Sequence, residues 1–142
     1  MSAVKGVNKT LIDAGTILKP GSTDGRVKSF QDTYEAAALE AASTITVGPR
    51  LPKGAIILAV LLSYDAMGGG VTMDVGDAED PNRYISAQDV SAAGSKLSDL
   101  VDGINYETDE SDSDNLDTQL IITTAGAAAT GTVKLTVLFT ND

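Results

Sequence analysis

At 142 residues with a formal charge of -10, no histidine and no cysteine, the chain has the length of one domain and lacks the ligands of most zinc, iron and thiolate sites. The same gaps exclude a disulfide framework and every His-dependent triad, and the acidic balance argues against nucleic-acid and membrane partners, because phosphate backbones and anionic lipid would repel it. Aromatic residues are 4% of the chain within 42% hydrophobic residues, so Val, Ile and Leu must build the core, a composition that favours sheet over helix.

Residues 1–25 mix small, polar and turn-forming residues, with Lys19-Pro20-Gly21 and Asp24-Gly25 as turn signals, and read as an arm ahead of a domain over residues 26–142. The arm has no continuous apolar stretch of the kind a signal peptide needs, which implies a protein made and assembled in the cytoplasm. Charge is uneven along the chain. Residues 1–53 hold seven Lys/Arg against five Asp/Glu, whereas residues 54–142 hold three against fifteen. Docking onto an acidic surface would therefore use the N-terminal third.

Strand signals follow at Arg26–Tyr34, Ser43–Val47, Gly54–Tyr64, Val71–Gly76, Gly103–Glu107, Gln119–Thr124 and Thr130–Thr140. Val71, Met73 and Val75 alternate onto one face, as do Val133, Leu135, Val137 and Phe139, so each of these strands should be half buried. The run Ala55–Leu62 does not alternate. That pattern suits a central strand covered on both faces, by the core inside and by a subunit neighbour outside. A short buried helix is the competing reading, and at eight residues the run is far below the roughly 18 needed to span a bilayer.

Two other segments are open between helix and irregular structure. Glu35–Ala42 has high helix propensity but is too short to stand without tertiary support, and it lies between strand signals where a β-connection also fits. Ser91–Val101 spaces Leu97, Leu100 and Val101 for one short helix or a long loop. Seven strands with Gly-, Pro- and Asp-rich connections predict an all-β fold: a β-sandwich, jelly-roll-like, with an extended N-terminal arm.

The acidic stretches are the obvious places to look for chemistry. In Asp80-Pro81-Asn82-Arg83 an acid at the first turn position and a proline at the second predict a type I turn, with Arg83 partnering a nearby carboxylate. The alternative, a calcium site, needs six to eight oxygens, and no EF-hand-like spacing is present. The run Asp109–Asp117 begins like a calcium loop but lacks the glycine and glutamate in register, and reads as an exposed hydrated loop. Gly68-Gly69-Gly70 lacks both the P-loop lysine and the GxGxxG spacing. An enzyme alternative is a trimeric dUTPase, which shares a small all-β fold. Here Ser63-Tyr64-Asp65-Ala66 and Asp102-Gly103-Ile104-Asn105-Tyr106 supply only fragments of its motifs, and its phosphate-binding motif is missing.

Three motifs carry a resemblance. They are Leu51-Pro52-Lys53-Gly54-Ala55 before the apolar strand, the run Val75-Gly76-Asp77-Ala78-Glu79-Asp80-Pro81-Asn82-Arg83-Tyr84, and Ala129-Thr130-Gly131-Thr132-Val133 before the last strand. With the segments around them, over residues 26–140, they resemble small virion proteins of tailed bacteriophages, of the head decoration or cement type. The resemblance implies a structural protein of the capsid exterior whose partner is the major capsid protein. It brings no catalytic residues, no metal and no cofactor.

On that reading the chain is a homotrimer bridging capsid subunits. Val4, Lys5, Lys9, Leu11, Ile12, Ile17, Leu18 and Lys19 form the capsid-binding arm. Ile56, Leu58, Val60 and Leu62 form the oligomer interface, and Asp80, Pro81 and Arg83 a structural turn. A receptor- or glycan-binding module of a fibre or neck is the alternative from another class, although a chain without tryptophan offers little aromatic platform for a sugar.

Overall fold

The computed structural model describes residues 3–5, 7–17, 26–109 and 116–141, with residues 7–9 described in backbone only. These residues form one short helix, α1 (Val7–Asp13), and nine strands: β1 (Lys28–Leu39), β2 (Thr44–Val47), β3 (Ile56–Tyr64), β4 (Thr72–Gly76), β5 (Ile85–Asp89), β6 (Gly94–Leu97), β7 (Tyr106–Glu107), β8 (Leu120–Ala125) and β9 (Ala129–Thr140). Leu18, Lys19 and the two turn signals between Lys19 and Gly25 lie outside the described residues, as does most of the acidic run after Asp109.

The strands make two antiparallel sheets. One has the order β1-β9-β3-β6 with β7 also pairing β3, and the other has the order β2-β8-β4-β5. The pairings β1·β9, β2·β8, β3·β6 and β4·β5 are those of one long antiparallel ribbon. Folding that ribbon over so that β9 also pairs β3 and β8 also pairs β4 gives a jelly-roll sandwich. The predicted all-β sandwich is therefore observed.

The two alternating patterns set the core. Val71, Met73 and Val75 face Val133, Leu135, Val137 and Phe139 across the sandwich, all buried. The core also takes in Ile45, Val47, Tyr84, Ile85, Leu120 and Ile122. Burial of this kind contributes on the order of 25 cal/mol per Å² of apolar surface, and it is the main term holding the two sheets together.

A bulge in β3 changes the expected orientation of its apolar run. Ile57 pairs with Phe139, yet the next paired residue is Ala59, opposite Leu138, which leaves Leu58 as the inserted residue. Strict alternation from Ile57 would turn Leu58, Val60 and Leu62 outward, the arrangement expected of an oligomer interface. The extra residue inverts it, because a one-residue slip exchanges the faces. Val60 and Leu62 are 0% exposed and Ile56 is 8% exposed within a single chain, while Ala59 and Leu61 take the outer face. Val60 and Leu62 therefore belong to the molecule's own core, whereas Ile56 is buried on the other side of the strand beside Thr140 and Glu107, and Leu58 is half-buried at the bulge.

Three other segments depart from the sequence reading. Between Ser91 and Val101 the chain forms β6 rather than a helix, with Leu97 opposite Leu61 and Gly94 opposite Tyr64. The sequence GSKL has no strong strand preference, and the free edge of β3 imposes the conformation. β5 carries no periodic apolar signal, since only Ile85 of its five residues is buried. Glu35–Ala42 resolves as strand to Leu39 followed by a turn, with a register shift between Ala36 and Leu39 and positive φ at Ala38 and Ala42. Pairing with β9 outweighs the helix propensity of those alanines.

Candidate functional site

The acidic turn after β4 is built around Asp77, whose side chain is fully buried. Its Oδ1 accepts the N–H groups of Glu79 at 3.0 Å and Asp80 at 2.8 Å, an Asx-type turn. Its Oδ2 accepts Nε–H of Arg83 at 2.7 Å. A second turn runs from Asp80 to Arg83, where the Arg83 N–H donates to the Asp80 carbonyl at 3.2 Å. Gly76 is required next to this turn because a Cβ there would lie 2.2 Å from the Asp80 carbonyl oxygen.

From Arg83 the polar contacts continue inward. Its guanidinium lies 3.8 Å from the centre of the Tyr106 ring, a cation–π stack, and also reaches Glu79 at 3.7 Å. The Tyr106 hydroxyl donates to Asp117 Oδ2 at 2.7 Å, and the Asp109 N–H donates to the same oxygen. Tyr84 packs edge-on to Tyr106. Burial disfavours the Arg83 charge, but the hydrogen bond and the charge of Asp77 outweigh it, so its pKa is raised and the guanidinium stays protonated. Burial first, then the Asp77 charge, pushes the Tyr84 hydroxyl up. Burial and the bond to Asp117 push Tyr106 up.

This arrangement uses its charges on itself. Asp77 is occupied by Arg83 and two backbone amides, and Asp117 Oδ2 is occupied by Tyr106 and Asp109. Asp117 Oδ1 and the Tyr84 hydroxyl are buried without a hydrogen-bond partner among the described residues. Among the described residues no group of three or more Asp, Glu, His or Cys side chains converges to hold a metal ion. The cluster locks the β4–β5 connection onto the chain leading into and out of β7. Tyr106, the last residue of the dUTPase-like fragment, is consumed in this lock.

Two hollows open on the described surface. One, of about 100 Å³, opens between the sheets where β1 and β2 form the free edges, and is lined by Tyr34, Ile45, Val47, Ile122 and Leu135 among others. It is smaller than the roughly 300 Å³ at which small-molecule pockets begin. Asp32 at its mouth already accepts the N–H groups of Thr33 and Gly48. The other is an open depression with Tyr64, Asp65 and Lys134, in which Asp65 accepts the Thr132 N–H.

Most of the exposed apolar residues are elsewhere. In the arm, Val4, Leu11, Ile12 and Ile17 are all exposed, Ile17 by 96%. Lys5 pairs with Asp13 at 2.5 Å across α1, and Lys9 is described in backbone only. On the sandwich, Leu61, Leu97 and Leu138 are exposed on the outer face of the β1-β9-β3-β6 sheet. Sequence periodicity could not find that second surface, since its residues sit on three strands and are brought together by register alone.

Comparison with solved structures places this geometry among phage capsid chains. Along all of its length the chain is similar to a chain in the capsid asymmetric unit of cyanophage Pam1, covering 100% of that chain at 27% identity and a TM-score of 0.68. A chain from the capsid of Ralstonia phage GP4 is similar over 83% of this chain and 86% of its own, at 21% identity and a TM-score of 0.63. One from the capsid of the Helicobacter pylori bacteriophage KHP30 shares the fold over 81% and 87%, at 13% identity and a TM-score of 0.58. No family model and no curated protein sequence matches the chain. The resemblance drawn from the sequence thus has solved counterparts with the same fold.

Proposed function

We infer that this chain is a non-enzymatic structural protein of a bacteriophage virion, associated with the capsid. We propose further that it is a decoration or cement subunit: a homotrimer on the outer capsid surface that bridges neighbouring major capsid protein subunits. The observation that carries the reading is the end-to-end likeness to a chain of a cyanophage capsid asymmetric unit. Two features of the molecule support the finer version. The arm exposes Val4, Leu11, Ile12 and Ile17, apolar side chains that gain by burial against a partner. The body carries the excess of acid, which favours a position away from packaged nucleic acid.

In this reading Val4, Lys5, Lys9, Leu11, Ile12, Ile17, Leu18 and Lys19 lie along the capsid, and many weak contacts around a symmetric shell add through multivalency. The test is to mix undecorated heads with full-length protein and with protein lacking residues 1–20, then measure occupancy. Full-length protein should saturate the heads and the truncated form should be largely lost. Equal occupancy would remove the arm as anchor, and no binding by either form would remove the decoration role. Light scattering of the purified protein tests the trimer.

A further inference from the structure

The outer face of the β1-β9-β3-β6 sheet differs in charge from the rest of the molecule. Register places Ala59 opposite Leu138, and Leu61 opposite both Thr136 and Leu97. Ala59 and Leu61 are two residues apart on one strand and share a face, so Leu138, Ala59, Leu61 and Leu97 form one apolar strip across three strands. The three leucines are 37%, 37% and 56% exposed in the order Leu138, Leu61, Leu97. On the paired stretches of this sheet, β7 included, the charged outward positions are Glu35, Lys134 and Glu107, the last opposite Ile56, which leaves a single net negative charge. Apart from Ile56 and the strip itself, the remainder are Ser, Thr, Gln and Ala.

A chain of formal charge -10 repels its own copies through most of its surface. A face with one net negative charge and an apolar centre is where two such chains approach with the least of that penalty, and interface cores are characteristically depleted of charge. We propose that the Leu61–Leu97–Leu138 face is the contact between copies of this chain. Its occupant is a second copy, which presents an equally acidic body and is therefore admitted best where acid is sparse. The proposal rests on the virion reading only for the symmetric, multi-copy state.

The experiment compares full-length wild type, Leu61→Glu, Leu97→Glu and the control Val101→Glu, which changes an exposed residue off this face. Sedimentation velocity across micromolar concentrations gives self-association, circular dichroism the fold, and binding to undecorated heads is scored in parallel. Wild type and the control should associate alike, and each face variant should weaken association by about tenfold or more. Leu97→Glu, on the short β6, decides the matter if Leu61→Glu perturbs the fold. A monomeric wild type, or face variants that associate like wild type, overturns the proposal. If wild type is monomeric and the face variants lose head binding, the face docks on the capsid instead, and the virion reading survives. If wild type associates through this face but never binds heads, the interface stands and the decoration reading falls.

Discussion

Arg83 lies over the ring of Tyr106, its Cζ 3.8 Å from the ring centre, and from that position Nε reaches the buried Asp77 at 2.7 Å. The stack and the ion pair hold each other in place. The planar guanidinium can present its face to a ring and its edge to a carboxylate at once, which a lysine cannot do. The buried carboxylate of this turn is thus neutralised from within.

Replacing Asp77 by Ala should therefore be severe. It leaves Arg83 without its buried counter-charge and two turn amides without their acceptor, a loss of roughly 3–5 kcal/mol for a broken buried pair. Thermal unfolding should fall by on the order of 10 °C. A variant melting within a degree or two of wild type would show that the pair is not structural.

The two neighbouring tyrosines should respond oppositely to loss of the hydroxyl. Tyr84 is buried and its hydroxyl has no partner among the described residues, so Tyr84→Phe should be neutral or stabilising. Tyr106→Phe removes the 2.7 Å bond to Asp117 and should cost about 1.5–3 kcal/mol, as expected for a hydrogen bond to a charged group. Denaturant unfolding of both variants checks the ordering.

The same tyrosines set an alkaline limit. Both hydroxyls are raised above their ordinary value of 10.0, so the unfolded chain releases these protons at lower pH than the folded one. The stability they contribute is complete below about pH 10 and is lost as pH rises beyond it, at up to about 1.4 kcal/mol per pH unit for the buried Tyr84. Unfolding free energy measured at intervals up to about pH 11 should fall over that range. Tyr84→Phe should flatten the fall, and an unchanged slope in that variant would rule out Tyr84 as its source.

The bulge at Leu58 makes adjacent leucines unequal. Leu62→Ala should cost about 2–5 kcal/mol as a core truncation, while Leu61→Ala should stay within about 0.5 kcal/mol for the isolated chain. Reversal of that order would mean that β3 presents its other face to the core.

Much of the architecture was readable in the order of residues. The alternations Val71-Met73-Val75 and Val133-Leu135-Val137-Phe139 state their own buried faces, because a strand's side-chain period is two and independent of its neighbours. Absence of His and Cys, and the spacing of the acids, likewise needed no fold to interpret. What remained hidden was set by pairing between distant segments. The face assignment of Val60 and Leu62 turned on one inserted residue that shows only against β9. GSKL became a strand because β3 offered an edge, and which nearby carboxylate partners Arg83 was decided by the turn that buries Asp77. The strip through Leu61, Leu97 and Leu138 exists only once three strands are in register, since hydrogen bonding between distant chain segments, such as Ala59 with Leu138, 79 residues on, not any local preference, brings those side chains onto one surface.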